Sequence, residues 1–185
     1  MRTAPRHCLI AAAVLVGLVP VAHARAFSTP DNATQSVRAK ELPFKLHFDP
    51  DVWSVQPKQS NLRLLARVVP QQGSASGAFT YRQQELSPAE LRQRERDELA
   101  SAFASHEIAG FEARTVNGEE VMLMRARATT SEGREVVIRS YLWAGPNGVA
   151  DYGIVTNAEA FAERREAIIG LLNGLEIHPD EEQTT

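Results

Sequence analysis

Arg139, Tyr141 and Trp143 alternate along one stretch of the chain, so in a β-strand their side chains leave from the same side. Aromatic residues with arginine are the types that anchor protein interfaces, so the chemistry they suggest is recognition of another protein. If residues 145–148 close a symmetric hairpin, Tyr141 faces Tyr152 and Trp143 faces Ala150, which extends the cluster. A three-residue loop at 131–133 adds Arg125 and Arg127 to that face. A two-residue loop places Met122, Met124 and Ala126 there instead, because one step of register turns every side chain over. The candidate partner-binding face is therefore Arg139, Tyr141, Trp143, Tyr152, Arg125 and Arg127. The competing reading packs the aromatics under a helix, with the arginine stems stretched over them toward water.

Catalytic chemistry finds less to work with. His47, His106 and His178 have no further His, Asp or Glu at a spacing that marks a metal site, and His106 is expected to cap a helix C-terminus. There is no Gly-x-Ser-x-Gly, phosphate loop or dinucleotide fingerprint. Carboxylate pairs for glycosidase work are set by folding and not by spacing, and most acids here fall on expected helix exteriors or in the tail. No catalytic, cofactor-binding or metal-ligating residue is assigned, no cofactor is expected, and the chain is read as a non-enzyme.

The compartment follows from the first residues. Arg2 and Arg6 precede an apolar run of 12 residues, 8–19, ended by Pro20, and Ala22-His23-Ala24 and Ala24-Arg25-Ala26 supply two small-residue cleavage sites. Residues 1–26 read as a cleavable signal peptide, cut after Ala24 or after Ala26, with the second preferred. The run is too short to span a bilayer, so no transmembrane anchor is expected after cleavage. Cys8, the only cysteine, lies inside that run and not in a lipobox; its removal leaves no disulfide, thiolate site or cysteine nucleophile. Cleavage after Ala26 also removes three arginines and no acid, leaving 17 basic against 23 acidic residues, a net charge of −6 that argues against nucleic acid as a partner.

The elements that must carry these residues can be placed by period. Residues 27–41 lack one and read as a flexible leader with room for one short helical turn; a single domain is expected over 42–177, and 178–185 read as an acidic, disordered tail. Phe44, Leu46 and Phe48 alternate with Lys45 and His47 as a half-buried strand, and Asp49-Pro50-Asp51 turns into a second strand bearing Trp53, a core anchor. Two more strands are expected near 62–69 and 78–84. Ser87-Pro88-Ala89-Glu90 is a capping box with proline at the first helical position; the helix should reach about Ser105, burying Leu91, Leu99, Ala102 and Phe103, with Glu90 paired to Arg94. Asn117-Gly118, residues 131–133 and residues 145–148 then close three hairpins, giving a meander of four strands. A last helix starts near Thr156 or Asn157, carries Phe161, Arg165, Ile168, Ile169 and Leu172 at helical spacing, and ends at a left-handed Gly174 before a short edge strand over 175–177.

Strands, helix, meander, helix is an α+β order with helices packed on an antiparallel sheet. The chain also resembles the DcrB/PsbP-like superfamily through Phe48-Asp49-Pro50-Asp51-Val52-Trp53, Leu86-Ser87-Pro88-Ala89-Glu90-Leu91, Asn117-Gly118-Glu119-Glu120, and Gly153-Ile154-Val155-Thr156 leading to Phe161 and Ile168, over residues 42–177. The resemblance implies an α/β/α sandwich used mainly for binding. Its members include periplasmic lipoproteins, photosystem accessory subunits, a nuclear-transport GTPase cofactor and secretion-effector chaperones. No catalytic motif is shared among them, and this chain departs from the lipoproteins in lacking the lipobox cysteine. The expected function is thus a periplasmic binding or accessory protein acting on another periplasmic or envelope protein, with an envelope or secretion system as its setting. The alternatives are a periplasmic immunity or inhibitor protein against a toxic enzyme, and a hydrolase whose site is assembled by folding; oligomeric state is left open.

Overall fold

Among the described residues these patterns build two sheets and three helices. The structure is a computed structural model that describes residues 25–38, 44–57, 66–70, 75–146 and 148–177. Strands β1 (Arg25–Phe27), β4 (Trp53–Pro57), β5 (Ala66–Pro70), β6 (Ser76–Arg82), β7 (Ser105–Val116), β8 (Glu119–Thr129), β9 (Glu135–Gly145) and β10 (Gly148–Thr156) form an eight-stranded sheet in the order β1-β7-β8-β9-β10-β6-β5-β4. Every pairing in it is antiparallel except β1 with β7. Strands β2 (Gln35–Arg38), β3 (Phe44–Phe48) and β11 (Leu175–Ile177) make a small antiparallel sheet with β3 in the middle. Among the described residues no helix is long and apolar enough to cross a membrane.

Period-2 alternation divides the large sheet into two faces. Leu123, Tyr141, Trp143, Tyr152 and Ile154 point one way and pack with Phe44, Leu46 and Phe48 of β3, with Trp53, and with Ile168 and Leu172 of α3 (Arg165–Asn173). Met124, Ala126, Ile138, Leu142 and Val149 point the other way, under Leu91 and Leu99 of α1 (Pro88–Ala102). The fold is accordingly α+β, a mostly antiparallel sheet with helices on both faces. Trp53 is 2% exposed, as befits a core anchor.

Helix α1 begins as its sequence dictates: Ser87 accepts from Glu90 N, and the Glu90 carboxylate reaches back to Ser87 N at 2.8 Å. That use of Glu90 overturns its expected pairing with Arg94, which turns instead to Glu95 and Glu98. The helix ends at Ala102, and β7 starts at Ser105, so His106 is an exposed strand residue and not a helix cap. The last helix is two: α2 (Ala158–Glu163), capped by the Asn157 side chain, and α3, separated at Arg164, whose φ of −116° and ψ of 20° depart from helical values. Gly174 is right-handed (φ −73°, ψ −4°) and not left-handed; glycine is needed because a Cβ there would sit 2.0 Å from the His47 carbonyl oxygen.

The expected leader also differs from what is seen. Phe27 and residues 35–38 lie in strands, while 39–41 fall outside the described residues. Of the expected signal peptide only Arg25 and Ala26 are described, and they open β1. Residues 62–65 of an expected strand, His178 and the acidic tail also lie outside the described residues.

One side chain joins the pieces. Asn117 takes the left-handed conformation (φ 49°) that the two-residue hairpin demands, and Gly118 follows at φ 92°. Asn117 Oδ1 accepts from Thr29 N at 2.7 Å and from Thr29 Oγ1 at 3.1 Å, while Nδ2 donates to the Asn173 and Leu175 carbonyls at 3.0 and 2.7 Å. Asn173 in turn accepts from the buried Tyr141 hydroxyl at 2.6 Å. Asn117→Gly keeps the turn but strips these bonds, and should cost about 1–3 kcal/mol by leaving partly buried groups unpaired. Asn117→Ala should cost about 1 kcal/mol more, for a Cβ residue without the local bonding that eases positive φ. Urea unfolding of both variants measures the two terms; a glycine variant as stable as the parent would refute the junction.

Candidate functional site

The predicted face is one face, but it splits into a buried half and an exposed half. Tyr141 pairs with Tyr152 and Trp143 with Ala150 across the β9–β10 hairpin. At the β8–β9 hairpin, Thr130 N bonds the Arg134 carbonyl and Arg125 lies opposite Arg139, the register of the three-residue loop, so Arg125 and Arg127 share the face. Tyr141, Trp143 and Tyr152 are at most 4% exposed: α3 and the small sheet cover them, and Trp143 meets Phe44 edge-on at 5.5 Å. The expectation that these aromatics offer themselves to a partner is therefore corrected. They are core, because the strand β3 and helix α3 bring their own apolar faces to bury them.

The arginines remain at the surface. Arg125, Arg127 and Arg165 are exposed, and half-buried Arg139 stacks over the Phe161 ring of α2 at 4.5 Å. Among the described residues Arg127, Arg139 and Arg165 make no ion pair, and Arg125 reaches only Glu112, at 4.0 Å. Glu107 stands opposite Arg127 in register without pairing to it. Burial, then the charges of Arg125, Arg127 and Arg165, lower the Arg139 pKa below the usual guanidinium value. The result is a cationic cluster in which, among the described residues, only Arg125 has an anionic partner.

A second site lies on the opposite face of the same strands, where no residue was singled out from sequence. Ser140 of β9 and Asp151 of β10 project toward α1, next to a cavity of about 360 Å³ that Glu95, Glu98, Leu99 and Phe103 also line. Glu95 is 3% exposed and accepts from Arg94 Nη2 at 2.9 Å; Arg94 Nε forms an ion pair with Glu98 at 3.5 Å without a hydrogen bond, and Arg82 of β6 donates to Glu98. Asp151 makes no ion pair among the described residues, and its Oδ1 is shut off from solvent without a hydrogen bond. A Cβ at position 153 would stand 2.6 Å from Ser140 Oγ, so Gly153 leaves room for that hydroxyl beside the acid.

Burial pushes the Asp151 carboxyl well above the ordinary range; the charges of Glu95 and Glu98 push it further, and Ser140 and Arg94 oppose them. Glu95 is raised by burial first, with Arg94 opposing. One sign of this site was legible: Glu95 sits midway between Leu91 and Leu99, on the apolar stripe of α1. Asp151 gave no such sign, since its face depends on pairing.

The pH dependence has a definite sign. A carboxyl raised by folding binds its proton more tightly in the native state, so its contribution is fully present below the unfolded carboxylate range and is lost as pH climbs through the raised value. Asp151→Asn removes that loss. As pH rises from the ordinary carboxylate range through the raised value, the variant should gain on the parent in thermal unfolding, by about 2–4 °C for each ~1 kcal/mol of relieved burial in a chain of this size. A constant offset across that range would mean that Asp151 ionises normally.

No family model and no curated protein matches the chain. Solved structures do. Cyanobacterial PsbP (CyanoP) from Synechocystis sp. PCC 6803 matches with a TM-score of 0.57 at 7% identity, over 77% of this chain and 91% of that one. LpqN of Mycobacterium tuberculosis, involved in cell envelope biogenesis, matches with a TM-score of 0.57 at 14% identity, over 78% and 91%. The Saccharomyces cerevisiae Ran-binding protein Mog1p matches with a TM-score of 0.52 at 7% identity, over 77% and 94%. With its antiparallel meander held between α1 on one face and α2, α3 and the small sheet on the other, the chain has the PsbP-like fold that its sequence resembles.

Proposed function

We propose that this chain is an exported, non-enzymatic binding or accessory protein of the periplasm, and that it docks an acidic segment of another envelope protein on Arg125, Arg127, Arg139 and Arg165. The cationic cluster carries this reading: four arginines converge at the junction of β8, β9, α2 and α3, and three of them make no ion pair among the described residues. Like charges held together without counterions are unfavourable alone and become favourable when an anionic surface arrives. The planar guanidinium suits carboxylates, which it can grip with two parallel bonds. Arg139 is held in place by Phe161 and by bonds from Nη1 to the Ile138 and Ala126 carbonyls, so little side-chain entropy is lost on binding. Structures of the same fold include a Ran-binding protein and a protein of cell envelope biogenesis, which accords with a role in binding.

The cavity beneath α1 offers one observation in favour of a hydrolase, since clustered carboxyls with raised pKa values mark many active sites. Its lining, however, contains neither histidine nor cysteine, and the candidate bases it offers Ser140 are the carboxyls of Asp151, Glu95 and Glu98.

The test of the binding reading is crosslinked capture from the periplasm with the mature protein and with an Arg127→Glu/Arg165→Glu variant. Both positions are exposed, so the variant should fold like the parent. The parent should retain one reproducible acidic partner, more weakly as salt rises. The variant should bind it about 10- to 100-fold less tightly, as reversal of interfacial charge does. Capture that is indifferent to both salt and variant would overturn the assignment of this surface.

A further inference from the structure

We propose that the cavity beneath α1 binds a small organic cation, a primary ammonium on a short apolar body, with Asp151 as its counterion. The site is on the other side of the sheet from the arginine cluster, so it stands or falls independently of the docking surface. Its volume, about 360 Å³, is in the range of small-ligand pockets. One part of the wall is apolar, from Leu99, Phe103, Met124 and Ile138, and the other carries carboxyls and hydroxyls, a division that fits an amphiphile.

The charge balance selects the sign. Glu95 and Glu98 have Arg94, and Glu98 also has Arg82, but among the described residues no cationic side chain forms an ion pair with Asp151. Among the described residues its Oδ1 finds no hydrogen bond, and a buried acceptor in that state is costly. An ammonium group supplies both the charge and the donors. The neighbouring Ser140 and Thr80 hydroxyls can accept its remaining protons, and Thr80 Oγ1 already lies 3.5 Å from the Asp151 carbonyl.

Binding is linked to pH through Asp151. The groups facing it are Glu95, Glu98 and Arg94 from α1, Arg82 from β6 and Ser140 from β9. Ionised Asp151 is the form that holds the cation, so binding releases the proton that burial otherwise retains. Affinity for the ammonium should rise with pH, while a neutral analogue of equal length should show no such trend.

Calorimetric titration with n-hexylammonium and with n-hexanol separates the charge from the apolar body. The ammonium should bind at least about 10-fold more tightly than the alcohol where Asp151 is ionised, and the margin should shrink as pH is lowered and the carboxyl takes its proton. In Asp151→Asn the margin should vanish. Ala102→Trp, at an exposed helix position on the cavity wall, should block both ligands while leaving Asp151 in place, and it serves as the test if the first variant fails to fold. Equal binding of alcohol and ammonium, a margin that survives Asp151→Asn, or hexylammonium binding unaffected by Ala102→Trp would each overturn the proposal. Displacement of the ammonium by calcium ions alone, at equal concentration, would make this an inorganic cation site and overturn it as well.

Discussion

The left-handed turn at Asn117 is the constraint on which the remainder of the structure depends. Its backbone closes the β7–β8 hairpin, and its amide holds Thr29, just past β1, and the carbonyls at the end of α3 and in β11. These four bonds span separations of 56 to 88 residues, so one side chain fixes both ends of the described chain against the first hairpin of the meander. Position 117 needs a residue that tolerates positive φ and also carries a donor and an acceptor. Asparagine meets both demands.

Fixing the end of α3 has consequences for the core. Once β11 is anchored, it pairs with β3, and the small sheet presents Phe44, Leu46 and Phe48 to the large one. Gly174 makes this approach possible by its lack of a side chain, with His47 N donating to its carbonyl at 2.8 Å. The aromatics of β9 and β10 are thereby enclosed, and the Tyr141 hydroxyl finds its acceptor on Asn173. The arginines two and more residues farther along the strands lie beyond the cover and stay at the surface. Where the small sheet and α3 end, core becomes cationic surface.

Strand alternation then sets two unlike environments back to back. Arg139 and Tyr141 flank Ser140 in β9, and Tyr152 follows Asp151 in β10, so adjacent residues serve opposite faces. Among the described residues, one face gathers arginines of which three make no ion pair, and the other gathers acids of which one, Asp151, makes none. The mildly acidic net charge conceals both, since charges of opposite sign average out along the chain but not across a sheet.

Much of this was legible from local physics. The capping box at Ser87, the Asn117-Gly118 turn, the alternation of Phe44 to Phe48 and the four-strand meander are short-range patterns, and each implies its element without knowledge of the whole. Export, by contrast, is an expectation from the residues ahead of Arg25. What tertiary structure alone decided is anything requiring a partner distant in sequence: β1 pairing in parallel with β7, the second sheet, the register that brings Arg125 beside Arg139, and the burial of Trp143. The cavity of Asp151 and Glu95 belongs to that class too. Glu95 and Asp151 line one cavity because a helix and a strand distant in sequence are packed together on one face, and no periodicity within either segment encodes that approach.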